Sequence, residues 1–259
     1  MKLATFQPAG AGQARAGVVE GAQVRALADG QTVVDVLAGQ PARPGEAVWN
    51  LDEVTLLAPV DPGTVFAIGL NYAKHIQETG APTPEVPVVF VKVRGSVTGP
   101  NGPIVCPEVV RRLDYEGEMT IVMGPDRQIA GYCIADDVTA RDLQGREPHW
   151  IRGKGADTFC PIGPWITTAD EVPDPENLRL RTWVNDDLRQ DSSTSDLLFG
   201  CQRLVEFISE TCTLAPGDLI LTGTPSGVGM GMDPPQFLES GDVVRIEIEQ
   251  LGLIEHPVR

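Results

Sequence analysis

The segment Asp114-Tyr-Glu-Gly-Glu-Met-Thr-Ile-Val-Met123 holds two carboxylates two residues apart in a run of β-formers that Gly124-Pro125 ends. On a strand, Glu116 and Glu118 project from one face with their Cα atoms roughly 6.5–7 Å apart. Like charges held there repel unless water screens them or a cation lies between them. A second run, Ile129–Ile134, reads as the partner strand of a hairpin. It delivers a third carboxylate, Asp136 or Asp137, ahead of Thr139–Gln144, which opens a short helix. An all-oxygen set without His or Cys suits Mg²⁺, with Mn²⁺ or Ca²⁺ as alternatives, and not zinc. The competing reading leaves Glu116 and Glu118 on a solvated strand face and makes the Asp a helix cap.

Further residues with chemical capacity lie on either side. In Asn71-Tyr-Ala-Lys-His-Ile-Gln-Glu-Thr-Gly80, a helical turn over 72–79 puts His75 and Glu78 on one face, and Gly80 ends it. A carboxylate beside an imidazole raises its basicity and fixes its tautomer, as activation of water requires; the alternative is an exposed surface pair. Only four of the 20 cationic residues are lysines: Lys2, Lys74, Lys92 and Lys154. Lys154, between two glycines, fits contact with a substrate oxygen or a proton transfer. Asp218–Gly229 reads as a strand entering a Gly-rich turn. It lacks the Gly-Lys-Ser/Thr of a phosphate loop and the helix of a dinucleotide fingerprint, so its N–H groups are candidates to hold a carboxylate, with Thr224 helping. No Gly-x-Ser-x-Gly elbow is present, which argues against a nucleophilic serine.

Taken in order, Tyr115-Glu-Gly-Glu118, Gly131-Tyr-Cys-Ile-Ala-Asp-Asp-Val-Thr-Ala-Arg-Asp-Leu-Gln144, Gly153-Lys-Gly155 and Leu221-Thr-Gly-Thr-Pro-Ser-Gly-Val-Gly229 resemble the fumarylacetoacetate hydrolase family, over about residues 60–259. The resemblance implies that Glu116, Glu118 and Asp137 bind the divalent metal, and it selects Asp137 over Asp136. It implies that His75 and Glu78 form a catalytic dyad on a mobile lid and that Lys154 contacts substrate. Arg141, Gln144 and Thr224 are expected to line the pocket, with orientation of the metal-binding carboxylates as the competing role for Arg141. The implied fold is α+β and β-rich, a rolled mixed β-sheet domain, and members are typically homodimers.

A carboxylate-held ion can be chelated by a 2-oxo acid and can stabilise the charge of an enolate. Such a site supports C–C hydrolysis of an acylpyruvate, the outcome expected here because the dyad can make hydroxide. It also supports isomerisation or decarboxylation of a hydroxydienedioate, as in a 2-hydroxyhepta-2,4-diene-1,7-dioate or 5-carboxymethyl-2-hydroxymuconate isomerase, or decarboxylation of oxaloacetate. A non-catalytic, metal-stabilised binding protein is the rival of another class. Departures from the family pattern are Phe90-Val-Lys92-Val, where Phe-x-Lys-Pro is common, and Leu251 and His256 near the carboxyl end. Arg94 is a candidate partner for a distal carboxylate, or a surface residue.

With 259 residues, 42% of them hydrophobic, the chain can bury a sizeable core, and 28 Gly with 22 Pro predict many turns and few long helices. Residues 1–59 read as a small β-containing domain with strands at Lys2–Gln7, Ala16–Val19 and Gln23–Ala26, a helical turn at Thr32–Leu37 and a Pro-rich link at Pro41–Pro44. Residues 60–259 form the catalytic domain, beginning with a buried strand at Gly63–Gly69, and a helix is expected over Leu197–Ile208. A formal charge of -16 argues against nucleic acid and anionic membranes as partners and leaves a small 2-oxo acid. The absence of a signal-like start and of long apolar runs leads to a cytoplasmic expectation. Five cysteines without a Cys-x-x-Cys are expected reduced and mostly in the core.

Overall fold

Period-two apolar runs broken by Gly and Pro dictate strands, and the computed structural model, which describes every residue except Ala11, is built mainly of them. At its centre is the hairpin Gly117–Met123 and Ile129–Asp136, in which Gly117 pairs with Asp136 and Glu118 with Ala135. Every residue of Gly117–Met123 is buried, as expected of a central strand covered on both faces. Cys160–Thr168 flanks the hairpin on one side, and Leu219–Leu221 flanks it on the other. The latter runs parallel to Val65–Gly69, so the twelve-stranded sheet is mixed. This is the β-rich α+β architecture that the sequence predicts.

The first strand, Lys2–Pro8, hydrogen-bonds to Cys160–Thr168 and so extends the same sheet outward through Arg15–Glu20, Gln23–Leu27 and Pro44–Asn50. The expected helical turn is Val33–Leu37, capped by Thr32, whose hydroxyl accepts from the Asp35 N–H. After the Pro-rich link expected at Pro41–Pro44, Pro44–Asn50 forms a strand against Gln23–Leu27 that the sequence reading did not include. Pro tolerates this position because it opens the strand, at the edge of the sheet.

Two cores flank the central hairpin. Met119, Ile121 and Met123 point to a separate four-stranded antiparallel sheet that contributes Leu180, Val184, Val244, Ile246 and Ile254. Val122, Cys133 and Ala135 point the other way, to Ala67, Leu219 and Leu221. Each fully buried aliphatic side chain contributes about 1.5–3 kcal/mol. Gly117 is small for a reason: a Cβ there would run into Thr182 and Ile246 of the second sheet.

The expected helix over Leu197–Ile208 begins later, at Cys201, and ends at Ser209. Its first residues are taken by tertiary pairing: Leu197 bridges Tyr72, and the Phe199 N–H donates to the Asn71 side chain. Cys201, Leu204, Val205 and Ile208 then form its buried stripe. Among the described residues no helix is long and apolar enough to cross a membrane. All five cysteines are free; Cys133, Cys160 and Cys201 are buried.

Candidate active site

The hairpin register builds the acidic cluster. The pairing of Gly117 with Asp136 continues one step, the Asp137 N–H donating to the Glu116 carbonyl at 2.9 Å, so Glu116 and Asp137 stand opposite each other. Glu118, two residues along, shares their face. The three carboxylates bring ligand atoms within 4.8 Å of one another. Glu116 is 5% exposed, Glu118 1% and Asp137 1%, which rules out a solvated strand face. Asp136 points away: it accepts the Glu116 N–H at 2.8 Å and pairs with His256 Nε2 at 2.9 Å.

Cationic side chains surround two of these three groups. Lys154 Nζ lies 2.5 Å from Glu116 Oε2 and 2.7 Å from Asp137 Oδ2, and Arg141 Nη2 lies 2.6 Å from Glu116 Oε1. Burial opposes the charge on Glu116, but Arg141 and Lys154 outweigh it and hold the carboxyl at about 2. Burial likewise opposes the ammonium of Lys154, yet Asp137 and Glu116 keep it above the ordinary lysine value.

Glu118 is different. It accepts the Gly223 N–H at 2.7 Å, and no cationic side chain of the described residues bonds it. Burial first, and then Asp137 and Glu116 beside it, push its carboxyl well above the ordinary range. A buried carboxylate of this kind, in an all-oxygen cluster, fits a hard divalent cation. The residues therefore suit the group that the sequence called for.

The dyad faces the cluster from another element. Asn71, fully buried, bonds the carbonyls of Thr222 and Phe199 and so fixes the start of the helix Ala73–Thr79. Asp196 accepts the Lys74 N–H, and Gly80, at φ +66°, closes the other end. His75 is 6% exposed and its Nδ1 lies 2.9 Å from Glu78 Oε2, so this is not an exposed surface pair. With Nδ1 committed, Nε2 is the ring nitrogen left for chemistry.

One cavity of about 290 Å³ is lined by His75, Glu116, Glu118, Asp137, Arg141, Gln144, Lys154 and Thr224 together. Glu78 sits behind the imidazole and does not line it. One expectation needs correction. The Gly-rich turn spends its N–H groups on the protein's own carboxylates: Gly223 on Glu118, Gly227 on Glu78, and Gly229 and Met230 on Asp114. The Thr224 hydroxyl, although in the cavity wall, accepts from Gln190 and donates to the Gly117 carbonyl. Of the two roles open to Arg94, the surface one holds: it is ion-paired with Asp61 and 63% exposed along its side chain.

The sequence reading missed three contributors. Lys92, buried, donates to Asp137 Oδ1 and to the Lys154 carbonyl, tying the Asp137 carboxylate to the segment that carries Lys154. Its survival among so few lysines was the available signal. Asp114 accepts Arg141 Nε at 2.8 Å and thereby aims the guanidinium at Glu116. Trp150 packs edge-on against Phe90, with ring centroids 5.2 Å apart, and lines the same cavity.

Residues 64–259 match the family described as fumarylacetoacetate (FAA) hydrolase C-terminal, and residues 1–59 match Rv2993c-like, N-terminal. The chain is 37% identical to the mitochondrial oxaloacetate tautomerase fahd2 of Xenopus laevis, over all of this chain and 90% of that one. Two solved structures superpose over all of this chain and 98% of theirs. The 2-hydroxyhepta-2,4-diene-1,7-dioate isomerase of Mycobacterium marinum does so at 36% identity and a TM-score of 0.84. The maleylpyruvate hydrolase of Sphingobium sp. SYK-6, in complex with manganese(II) and pyruvate, does so at 31% identity and a TM-score of 0.79.

Proposed function

We propose, from the premise that the chain belongs to the fumarylacetoacetate hydrolase family, that it is a divalent-metal-dependent enzyme acting on a small 2-oxo acid or its enol, and that it hydrolyses a C–C bond of an acylpyruvate. The observation that carries this reading is the buried His75–Glu78 pair on the same cavity as the carboxylate cluster. Glu116, Glu118 and Asp137 would hold the ion, with Mg²⁺ the first candidate, and it would supply a Lewis acid for the keto and carboxylate oxygens. The manganese and pyruvate in the Sphingobium enzyme support that pairing of ligand and ion.

The protein's own residues divide the remaining work. Glu78 keeps the proton on Nδ1, so Nε2 of His75 takes one from a water. The hydroxide oxygen bonds to the distal acyl carbon, and the bond from that carbon to C3 of the pyruvyl unit breaks, leaving its electron pair there. The imidazolium returns the proton to C3, giving pyruvate and a carboxylic acid. Lys154, fully charged and beside the cluster, faces the negative charge that develops. Lys92 and Asp114 hold Asp137 and Arg141 in place.

A second reading is favoured by the names of the relatives, an oxaloacetate tautomerase and a hydroxydienedioate isomerase. Proton transfer by the same His75, at C3 for oxaloacetate or at C5, the far end of the dienol, for the hydroxydienedioate, with no water added, would produce either outcome. Turnover of an acylpyruvate, of enol-oxaloacetate and of the hydroxydienedioate, each with and without Mg²⁺, separates the two. Release of pyruvate from the first supports the hydrolase. Turnover of only the other two overturns it. The homodimer belongs to this reading and is checked by light scattering.

A further inference from the structure

The cavity wall combines charged and apolar side chains. Glu116, Glu118, Asp137, Lys154 and Arg141 supply the first kind, and Ile68, Leu70, Ala81, Phe90, Trp150 and Met230 the second. The two kinds meet at Phe90, whose ring centre lies 5.2 Å from Lys154 Nζ. The aromatic wall is seated closely: a Cβ on Gly69 would come within 2.9 Å of the Trp150 ring, so the indole occupies space that only glycine leaves. Leu70 holds φ at +54°, a conformation uncommon for a residue with a Cβ, and lines the same wall.

The lysine and the arginine of the cavity wall are already engaged. Lys154 is bonded to Glu116 and Asp137, Arg141 to Asp114 and Glu116, and Arg94 lies outside on Asp61. A second carboxylate placed against Phe90 and Trp150 would lose its hydration where the lysine and arginine of the wall are already committed to the protein's own carboxylates. An uncharged tail would lose only unfavourable contact with water.

Resting on the 2-oxo acid reading above, we infer that the substrate is a monoacid: a 2-oxo acid whose far end is an uncharged aliphatic or aromatic group seated on Phe90 and Trp150, and not a second carboxylate. In this the chain differs from what the names of its relatives describe, since oxaloacetate, maleylpyruvate and the hydroxydienedioate all carry two carboxylates. Trp150 and Phe90 then decide specificity, while the acidic cluster and the dyad decide chemistry.

The test is binding, which does not depend on which reaction follows. Calorimetry on the Mg²⁺-loaded protein compares 2-oxo-4-phenylbutanoate with 2-oxohexanedioate and with pyruvate. The phenyl acid is expected to bind about tenfold or more tightly than the diacid. In Trp150→Ala its affinity should fall about fivefold or more, with that of pyruvate unchanged within about twofold. Equal or tighter binding of the diacid overturns the inference alone, as does a Trp150→Ala protein that holds the phenyl acid undiminished. Failure of all three acids to bind overturns the 2-oxo acid reading and this inference with it. If Trp150→Ala does not fold, the wild-type comparison decides.

Discussion

Lys154 Nζ lies 2.5 Å from Glu116 Oε2, so an ammonium already neutralises a carboxylate that is also placed to ligate a cation. The two charges compete for one oxygen set. Lys154→Met therefore should leave metal affinity equal or raised, because a repelling positive charge is gone, while kcat/KM falls more than about tenfold for want of charge stabilisation. Calorimetric titration with Mn²⁺ and steady-state kinetics read the two effects separately. Loss of metal binding together with activity would make Lys154 a structural prop.

Glu118 is the carboxylate that lacks a cationic partner, and its protonation should be visible in the metal-free protein. Burial, with Asp137 and Glu116 beside it, raises its folded value. The native state then binds this proton more tightly than the unfolded chain. Stability contributed in this way is full below the unfolded carboxyl value of ~4.3 and is lost as pH rises through the folded one. Glu116, held at about 2, has the opposite sign: its contribution is full above the ordinary value and lost as pH falls towards 2. Thermal melts after chelator treatment should show the alkaline loss in wild type and not in Glu118→Gln, whose Mg²⁺ affinity should drop more than about tenfold. Parallel pH profiles for the two proteins would contradict this account.

Much of the centre was legible because it is local. Alternation and the Gly124-Pro125 turn fix the hairpin, and a helical turn puts His75 beside Glu78. What sequence spacing could not decide was the choice between Asp136 and Asp137. That depends on cross-strand register, and only the ordered motifs pointed to the residue that the pairing of Gly117 with Asp136 now places opposite Glu116. Lys92 and Asp114 were missed for a related reason: their partners Asp137 and Arg141 are 45 and 27 residues away in the chain. The Gly-rich turn was misread because free N–H groups look the same whether a ligand or the protein's own Glu78 and Asp114 will take them.

Asp114 gives a prediction that separates support from chemistry. It is buried, and burial raises its carboxyl while Arg141 opposes that rise. It accepts from Arg141 Nε and from the N–H groups of Gly229 and Met230. Asp114→Ala would take one of two carboxylates from a buried guanidinium and the acceptor from three N–H donors, those of Tyr115, Gly229 and Met230, a loss of about 3–5 kcal/mol. Chemical denaturation should show it directly. Asp114→Asn, which keeps acceptors but not the charge, should recover part of the stability. A stability change under about 1 kcal/mol for the alanine variant would mean that Arg141 is held by Glu116 alone.

The sharpest division of labour lies between His75 and the acidic cluster, since the helix Ala73–Thr79 and the hairpin bring different side chains to one cavity. Removing the imidazole takes away the base and no metal ligand. His75→Ala should therefore abolish acylpyruvate cleavage, by about 10²-fold or more, with Mn²⁺ affinity unchanged. Glu78→Gln is the subtler probe. The amide can still accept the Gly227 N–H, so the turn keeps its anchor, but it cannot balance the charge that His75 gains on taking a proton. The expectation is a lowered kcat at nearly constant KM, with the stability of wild type retained. If decarboxylation of oxaloacetate survives in His75→Ala while acylpyruvate cleavage is lost, water activation belongs to the dyad. If both activities persist at wild-type rates, His75 is not the base and the hydrolase reading loses the observation that carries it.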